Sequence, residues 1–335
     1  MAKIFSAFFL PFPSPWYNIH RMSMNASSLE TWYLQLTDRC TNACPHCFSS
    51  CSPAGRAVVP FALVRKWIHH MSVVAAKRIV FTGGEPFLYF PMLRNLVHEA
   101  ATRNLWPAVW TNGYWITGTE EFRLSLRYLA DVGLKQLILS DDAYHGATPF
   151  SAFADQLAPL AAELGVDLRW ARIEPKNPSA PPDYLFADHH VLAGPLMFRG
   201  RAAKECTAHQ MRWSLADFDA CPFLSFESPK SLFIDVRGFL NICPGFTLAD
   251  LKVVSLKKFF TDFELEKHSV AHAIATGGPA RLAGQLSVTD EDGFADFCHA
   301  CWVLRHGPPG ETQVRKTAVT PSPPSLGPPG RNDAT

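Results

Sequence analysis

Cys40, Cys44 and Cys47 stand in the run Thr37-Asp38-Arg39-Cys40-Thr41-Asn42-Ala43-Cys44-Pro45-His46-Cys47, a C-x3-C-x2-C spacing. With 9 cysteines in 335 residues, chance supplies about 0.006 such arrangements, so the spacing asks for a chemical reason. Three thiolates on one short loop can hold three irons of a 4Fe-4S cluster and leave the fourth iron open to a small molecule. Zinc takes thiolate equally well, but a structural zinc site closes with four ligands, and here His46 or Cys51 would have to supply the fourth. A second set follows later in the chain. Cys221 and Cys243, with Gly238 between them, read as C-x16-G-x4-C, and Cys298-His299-Ala300-Cys301 adds a C-x2-C pair. Four thiolates of this kind could close around a second 4Fe-4S cluster or around zinc, and spacing alone does not separate the two. Cys51 and Cys206 are left over, and the default for each is a small buried hydrophobe.

These residues need elements to hold them. From residue 31 onward, short apolar, β-branched runs alternate with longer helical patterns, the signature of repeated βα units and of an α/β fold with a parallel sheet. Predicted strands cover 32–36, 78–81, 108–110, 136–139 and 167–173. Predicted helices cover 61–75, 92–103, 120–131 and 149–164, where apolar residues return every three or four positions. Five such steps point to a barrel or part of one. The three-cysteine loop then follows the first strand, Thr82-Gly83-Gly84-Glu85-Pro86 the second, Thr111-Asn112-Gly113 the third and Ser140-Asp141-Asp142 the fourth. Barrel enzymes place their chemistry at these C-terminal strand ends. Two glycines let main chain approach a ligand closely, and the Glu85 carboxylate is a natural partner for an ammonium group. Tyr144 and His145 share the fourth loop and could reach a substrate. Arg172, Arg199 and Arg201 could meet a substrate carboxylate, although arginine on a loop is ordinarily solvated.

Composition limits the classes open to the chain. Hydrophobic residues make up 47% and charged residues 18%, a profile of packed globular protein, and the length suits two domains. Lys+Arg 31 against Asp+Glu 30 leaves a net charge of +1, so nothing in the overall balance favours nucleic acid or an anionic membrane. An odd number of bunched cysteines argues against a secreted disulfide framework. No apolar run is long enough to span a membrane. The run Ile4 to Leu10 breaks at Pro11 and makes a poor signal peptide, so a cytoplasmic location is expected. Residues 1–30 read as an irregular segment with an uncertain start codon, since Met22 and Met24 follow. After Pro175 a Pro-rich stretch interrupts the pattern. Ser231 to Val236 and Phe239 to Ile242 then read as a β-hairpin turning at Arg237-Gly238, and residues 306–335 as a disordered Pro-rich tail.

The three-cysteine loop, set at the end of a first strand and followed one βα unit later by Gly83-Gly84-Glu85-Pro86, resembles the radical SAM superfamily. The resemblance implies a partial (βα)6 TIM-like barrel over residues 31–210. It implies a 4Fe-4S cluster on Cys40, Cys44 and Cys47, with an open iron for S-adenosylmethionine. It also implies that His46 lies by the adenine, that Gly83, Gly84, Glu85 and Pro86 hold the methionyl amino group, and that Asn112, Ser140 and Asp142 meet the ribose or the substrate. The order of Cys221, Gly238, Cys243, Cys298 and Cys301 resembles the Twitch domain, the shortened form of the SPASM domain. That implies a small cysteine-rich domain containing a β-hairpin over residues 211–305, with one auxiliary 4Fe-4S cluster. The long stretch from Cys243 to Cys298, and the absence of cysteine after Cys301, depart from the two-cluster SPASM arrangement. The implied reaction is reductive cleavage of S-adenosylmethionine to methionine and a 5′-deoxyadenosyl radical that takes hydrogen from a substrate. First choice for that substrate is a ribosomally made peptide; the alternative is dehydrogenation of a small alcohol or amino sugar. From a different class comes a non-catalytic zinc-binding scaffold. A reductant such as flavodoxin or ferredoxin is implied as partner. So is a separate peptide-recognition protein, because only about 30 residues precede the first strand, fewer than a recognition module needs.

Overall fold

The computed structural model describes residues 24–73, 76–146, 148, 150–175, 191–288 and 292–307. The N-terminal residues 1–23, most of the Pro-rich stretch after Pro175 and the tail from residue 308 lie outside them.

Nine strands form one sheet in the order β6-β5-β4-β3-β2-β1-β7-β8-β9. They are β1 (Thr31–Gln35), β2 (Arg78–Thr82), β3 (Trp106–Thr111), β4 (Gln136–Ser140), β5 (Asp167–Glu174), β6 (Val191–Pro195), β7 (Ser231–Ile234), β8 (Phe239–Cys243) and β9 (Phe246–Asp250). The first six run parallel in sequence order. The helices α1 (Phe61–Met71), α2 (Phe90–Ala101), α3 (Thr119–Ala130) and α4 (Ala154–Glu163) fill the crossovers between β1 and β5. This is the parallel α/β barrel section expected from the alternating pattern. Alternation along each strand gives the sheet two faces. On the inner face, Val80, Ala108, Ile138 and Ala171 pack with Tyr33, Trp106 and Trp110. The other face buries Trp32, Leu34, Ile79, Phe81, Val109, Leu137 and Leu139 in the main core, together with the apolar sides of α1 to α4.

β6 was not expected from the sequence. Val191–Pro195 ends in Gly-Pro and carries little strand character of its own, and its conformation comes from five-residue parallel pairing with β5. The hairpin is present as β7 and β8, with Gly238 at a φ of 85° in the turn. It does not stand apart from the barrel strands: β7 pairs parallel with β1, from Thr31↔Ser231 to Leu34↔Ile234. The strand bearing Cys243 therefore continues the sheet. Beyond β9 come α6 (Leu256–Asp262), α7 (Ser269–Leu286, kinked at Gly277 and Gly278) and α8 (Phe297–His306), with a single short turn α5 (Ala202–Glu205) before the hairpin.

Leu34 is fully buried on β1, between Phe81 of β2 and Ile234 of β7. Leu34→Ala removes packing from the strand that joins the two halves of the sheet. It is expected to lower unfolding stability by about 2–5 kcal/mol, read from the midpoint of a urea titration.

Candidate functional site

The loop from Leu36 to Pro60 leaves the C-terminal end of β1 and is tied back on itself. Thr37 Oγ1 donates to the Ala57 carbonyl at 2.7 Å, the Asp38 carboxylate accepts Ala57 N–H at 2.8 Å, and Cys40 N–H reaches Ser52 O at 3.0 Å. The turn after β2 then docks against it. Gly84 N–H donates to Thr37 O at 2.6 Å and Glu85 N–H to Arg39 O at 2.8 Å. A Cβ on Gly84 would lie 2.0 Å from Arg39 O and one on Gly83 3.0 Å from Thr37 O. Both contacts are with backbone, which has no flexible end to move aside. Gly84 is thus required by the approach of the cysteine loop itself, and Gly83 is tightly confined by it, a use that the sequence pattern does not reveal.

Glu85 is fully buried, and both of its oxygens are engaged. Oε1 accepts from Phe87 N–H at 2.9 Å and Thr111 Oγ1 at 2.8 Å, and Oε2 accepts Asn112 N–H at 2.8 Å. Burial pushes the carboxyl up to about 7 against these three donors. Pro86 opens the 3-10 turn Pro86–Tyr89, which Glu85 caps. Asn112, held by Glu85, extends Nδ2 to Thr41 Oγ1 at 2.9 Å and to Cys40 Sγ at 3.5 Å. Three strand ends are therefore locked together: the cysteine loop of β1, the glycine turn of β2 and the asparagine of β3.

Cys40, Cys44 and Cys47 lie close enough to act on one another's charge. Burial raises the Cys40 thiol to about 11, with the other two sulfurs adding to it. Cys47 is lowered to about 6, chiefly by a hydrogen bond from the Cys51 thiol, and its sulfur also accepts Cys51 N–H at 3.3 Å. Cys51 is buried, as expected, with Gln35 Nε2 at 3.4 Å from its sulfur. Three grouped sulfurs, two of them already accepting N–H bonds, form a donor set that suits an iron–sulfur cluster.

His46, just before the last loop cysteine, stacks on Tyr144 with centroids 4.8 Å apart and meets His145 edge-on at 4.9 Å. Asp142, whose Oδ1 accepts from Tyr144 N–H at 3.0 Å and lies 2.9 Å from His145 Nδ1, ties this group to the end of β4. Burial opposes charge on His145, but the Asp142 carboxylate raises it to about 10. Burial takes His46 the other way, to about 4, so it is neutral at pH 7. Among the described residues its buried Nδ1 has no hydrogen-bond partner, a polar atom that a bound ligand would satisfy. Ser140 is brought to a different neighbour, accepting from Trp110 Nε1 on the inner face at 3.1 Å.

The second set converges as well. Cys221, Cys243 at the end of β8, and Cys298 and Cys301 on one face of α8 line a single cavity with Phe223, Leu224, Phe246 and Phe297. Burial raises the Cys221 thiol to about 11 and also raises Cys243 and Cys298, with neighbouring cysteines contributing in each case. Four mutually interacting sulfurs in an apolar recess fit a tetrahedral cluster. His299, between two of them, turns away, its Nδ1 accepting Ala295 N–H at 3.1 Å.

The arginines are the residues whose roles sequence reasoning missed. Arg172 pairs with Asp141 at 2.7 Å. Arg201 reaches back to the first loop, donating to the carbonyls of Cys44 and Cys51, both at 2.6 Å, while its own N–H bonds Cys47 O at 3.0 Å. Only a contact some 150 residues away in sequence creates that role, so no local signal could have found it.

Residues 32–135 match the 4Fe-4S single cluster domain family. A Bacillus subtilis strain 168 protein named for peptide biosynthesis, YydG, is 24% identical over 117 residues, which are 35% of this chain and 37% of that protein. The matched stretch thus spans little more than a third of that relative. Among solved structures, BtrN in complex with AdoMet and 2-DOIA is 16% identical at a TM-score of 0.49, covering 74% of this chain and 88% of that one. Streptococcus suis SuiB bound to S-adenosylmethionine is 14% identical at 0.48, covering 70% and 66%. The matched 4Fe-4S segment contains the first cysteine loop, Cys40, Cys44 and Cys47. Among the described residues no helix is long and apolar enough to cross a membrane.

Gly84→Ala forces the β2 turn off the cysteine loop and is expected to abolish iron retention at that loop. Gly284→Ala, where an added Cβ meets nothing within 4 Å, should keep full iron. Iron analysis after anaerobic reconstitution checks both.

Proposed function

We propose that this chain is a radical SAM enzyme acting in the maturation of a ribosomally made peptide. The observation that carries the reading is the interlock at Cys40: Glu85 holds Asn112, Asn112 holds Cys40, and Gly84 docks the same loop. When bound, the cluster on Cys40, Cys44 and Cys47 together with S-adenosylmethionine supplies a 5′-deoxyadenosyl radical by one-electron cleavage of the sulfonium C–S bond. The chain's own residues position and enclose. Gly83, Gly84 and the buried charge of Glu85 favour a cationic amino group at the β2 turn. His46, whose Nδ1 has no partner among the described residues, would lie by the adenine, while Asp142 fixes His46 and His145 at the mouth of the barrel. Ser140 and Trp110 border the inner face where a substrate would enter. Excluding water there protects a reactive carbon from unwanted hydrogen donors.

A peptide as substrate is supported by the likeness to a protein named for peptide biosynthesis. Residues 211–305 form the auxiliary, Twitch-like part of this reading, with Cys221, Cys243, Cys298 and Cys301 holding a second 4Fe-4S cluster. A flavodoxin or ferredoxin supplies the electron, and a separate recognition protein presents the peptide.

Anaerobic protein given dithionite and S-adenosylmethionine is expected to release 5′-deoxyadenosine, and the combined Cys40→Ala, Cys44→Ala and Cys47→Ala variant should release none. Turnover surviving in that variant refutes the assignment. Incubation with candidate precursor peptides should change a peptide's mass. An amino sugar oxidised while every peptide stays intact would move the reading to a dehydrogenase.

The Glu85 carboxyl, raised to about 7 by burial, gives a pH signature. A cationic ligand favours the ionised form, whose fraction falls from about one half at pH 7 to about one tenth at pH 6. S-adenosylmethionine affinity should drop about fivefold over that interval. Glu85→Gln should bind weakly at both pH values with its iron retained, as followed by calorimetry.

A further inference from the structure

The turn Arg199-Gly200-Arg201 touches both cysteine sites. Gly200 sits at a φ of 62° with the position of a Cβ 2.2 Å from Phe48 O, so only glycine lets this turn lie against the first loop. Arg201 grips that loop from one side through the Cys44 and Cys51 carbonyls. Arg199 leaves in the other direction. Its guanidinium passes 5.8 Å from the Phe48 ring and enters the wall of the second cavity, where its charge acts on the Cys243 thiol. Phe48 itself packs edge-on against Phe233 of β7, the strand beside Cys243, at 5.9 Å.

A second guanidinium comes from α8. Arg305 donates from Nε to Cys301 Sγ at 3.3 Å and to Cys301 O at 3.1 Å, bonds the Gly245 carbonyl, and lies 4.5 Å over the Phe246 ring. Among the described residues, neither Arg199 nor Arg305 has a carboxylate ion-pair partner. The acid near this cavity is Asp296, which caps α8 by accepting His299 N–H at 2.7 Å. Two positive charges thus face four sulfurs with little to neutralise them.

We propose that Arg199 and Arg305 raise the reduction potential of a cluster held at the second cysteine site, and that the Arg199-Gly200-Arg201 turn is the connector that fixes this site relative to the first. A cubane held by four thiolates carries a net charge of −2 when oxidised and −3 when reduced. Two fixed cations in a recess of low dielectric favour the more negative state. The hydrogen bond from Arg305 to the Cys301 sulfur acts in the same direction. Both residues are positioning and charge-setting groups. The inference rests on the second set holding an iron–sulfur cluster.

The test is a redox titration followed by electron paramagnetic resonance on the full chain, reconstituted anaerobically. The Cys40→Ala, Cys44→Ala, Cys47→Ala background leaves only the second site to report. Arg199→Gln and Arg305→Gln should each make reduction about tenfold less favourable, a fall in midpoint of about 59 mV for one electron, with about four irons retained. Arg199→Lys, which keeps the charge, should stay near the parent. Unchanged midpoints in both glutamine variants overturn the proposal. Should Arg305→Gln lose its iron, Arg199→Gln decides by the same titration. A background protein that binds no iron removes the second cluster and this inference with it. Deoxyadenosine formation by the unsubstituted chain then still stands as the separate test of the first site.

Discussion

The architecture turns on a contact between two stretches of main chain. Arg39 and Thr37 of the cysteine loop take hydrogen bonds from the turn after β2, at a separation that leaves no room for a Cβ on Gly84. The side-chain link to Cys40 follows from that approach. Glu85 is carried beneath the turn, it fixes Asn112 at the end of β3, and Asn112 reaches the sulfur. Burying a carboxylate is costly unless its lone pairs are filled, and three donors fill most of them here.

The two cysteine sites are built by different means. The first depends on a loop with little regular structure, held by neighbouring strand ends and by Arg201. The second draws on a strand end, a helix face and a loop, so its sulfurs are fixed by the sheet and by α8. Burial keeps thiols such as Cys40 and Cys221 protonated near neutral pH, so loading metal at either place must release protons. Pairing of β7 with β1 runs the same hydrogen-bonded sheet beneath both sites. The arginine turn joins them again above it, giving two independent links between parts of the chain far apart in sequence.

Much of this was legible from residue order. The spacing of Cys40, Cys44 and Cys47, the run Gly83-Gly84-Glu85-Pro86 and the βα alternation identify a parallel α/β protein with an iron–sulfur loop, because these signals are local and each periodicity spans only a few residues. The five barrel strands and the hairpin fall where the apolar runs place them, within a residue or two at most ends. Helix starts were less legible: α4 begins at Ala154, after the 3-10 turn Ser151–Phe153, later than its apolar pattern suggests.

Other features exist only once the chain is folded. Strand β6 depends on a partner and not on its own composition. The use of Gly84, the filling of Glu85, the joining of hairpin to barrel through β1, and the two directions taken by Arg199 and Arg201 are contacts between segments with no shared periodicity. Sequence order therefore decides which chemical groups the molecule has and roughly which elements bear them. Distance, burial and charge among those groups arise from long-range packing, since a sulfur or guanidinium acquires its partners only from chain that arrives from elsewhere.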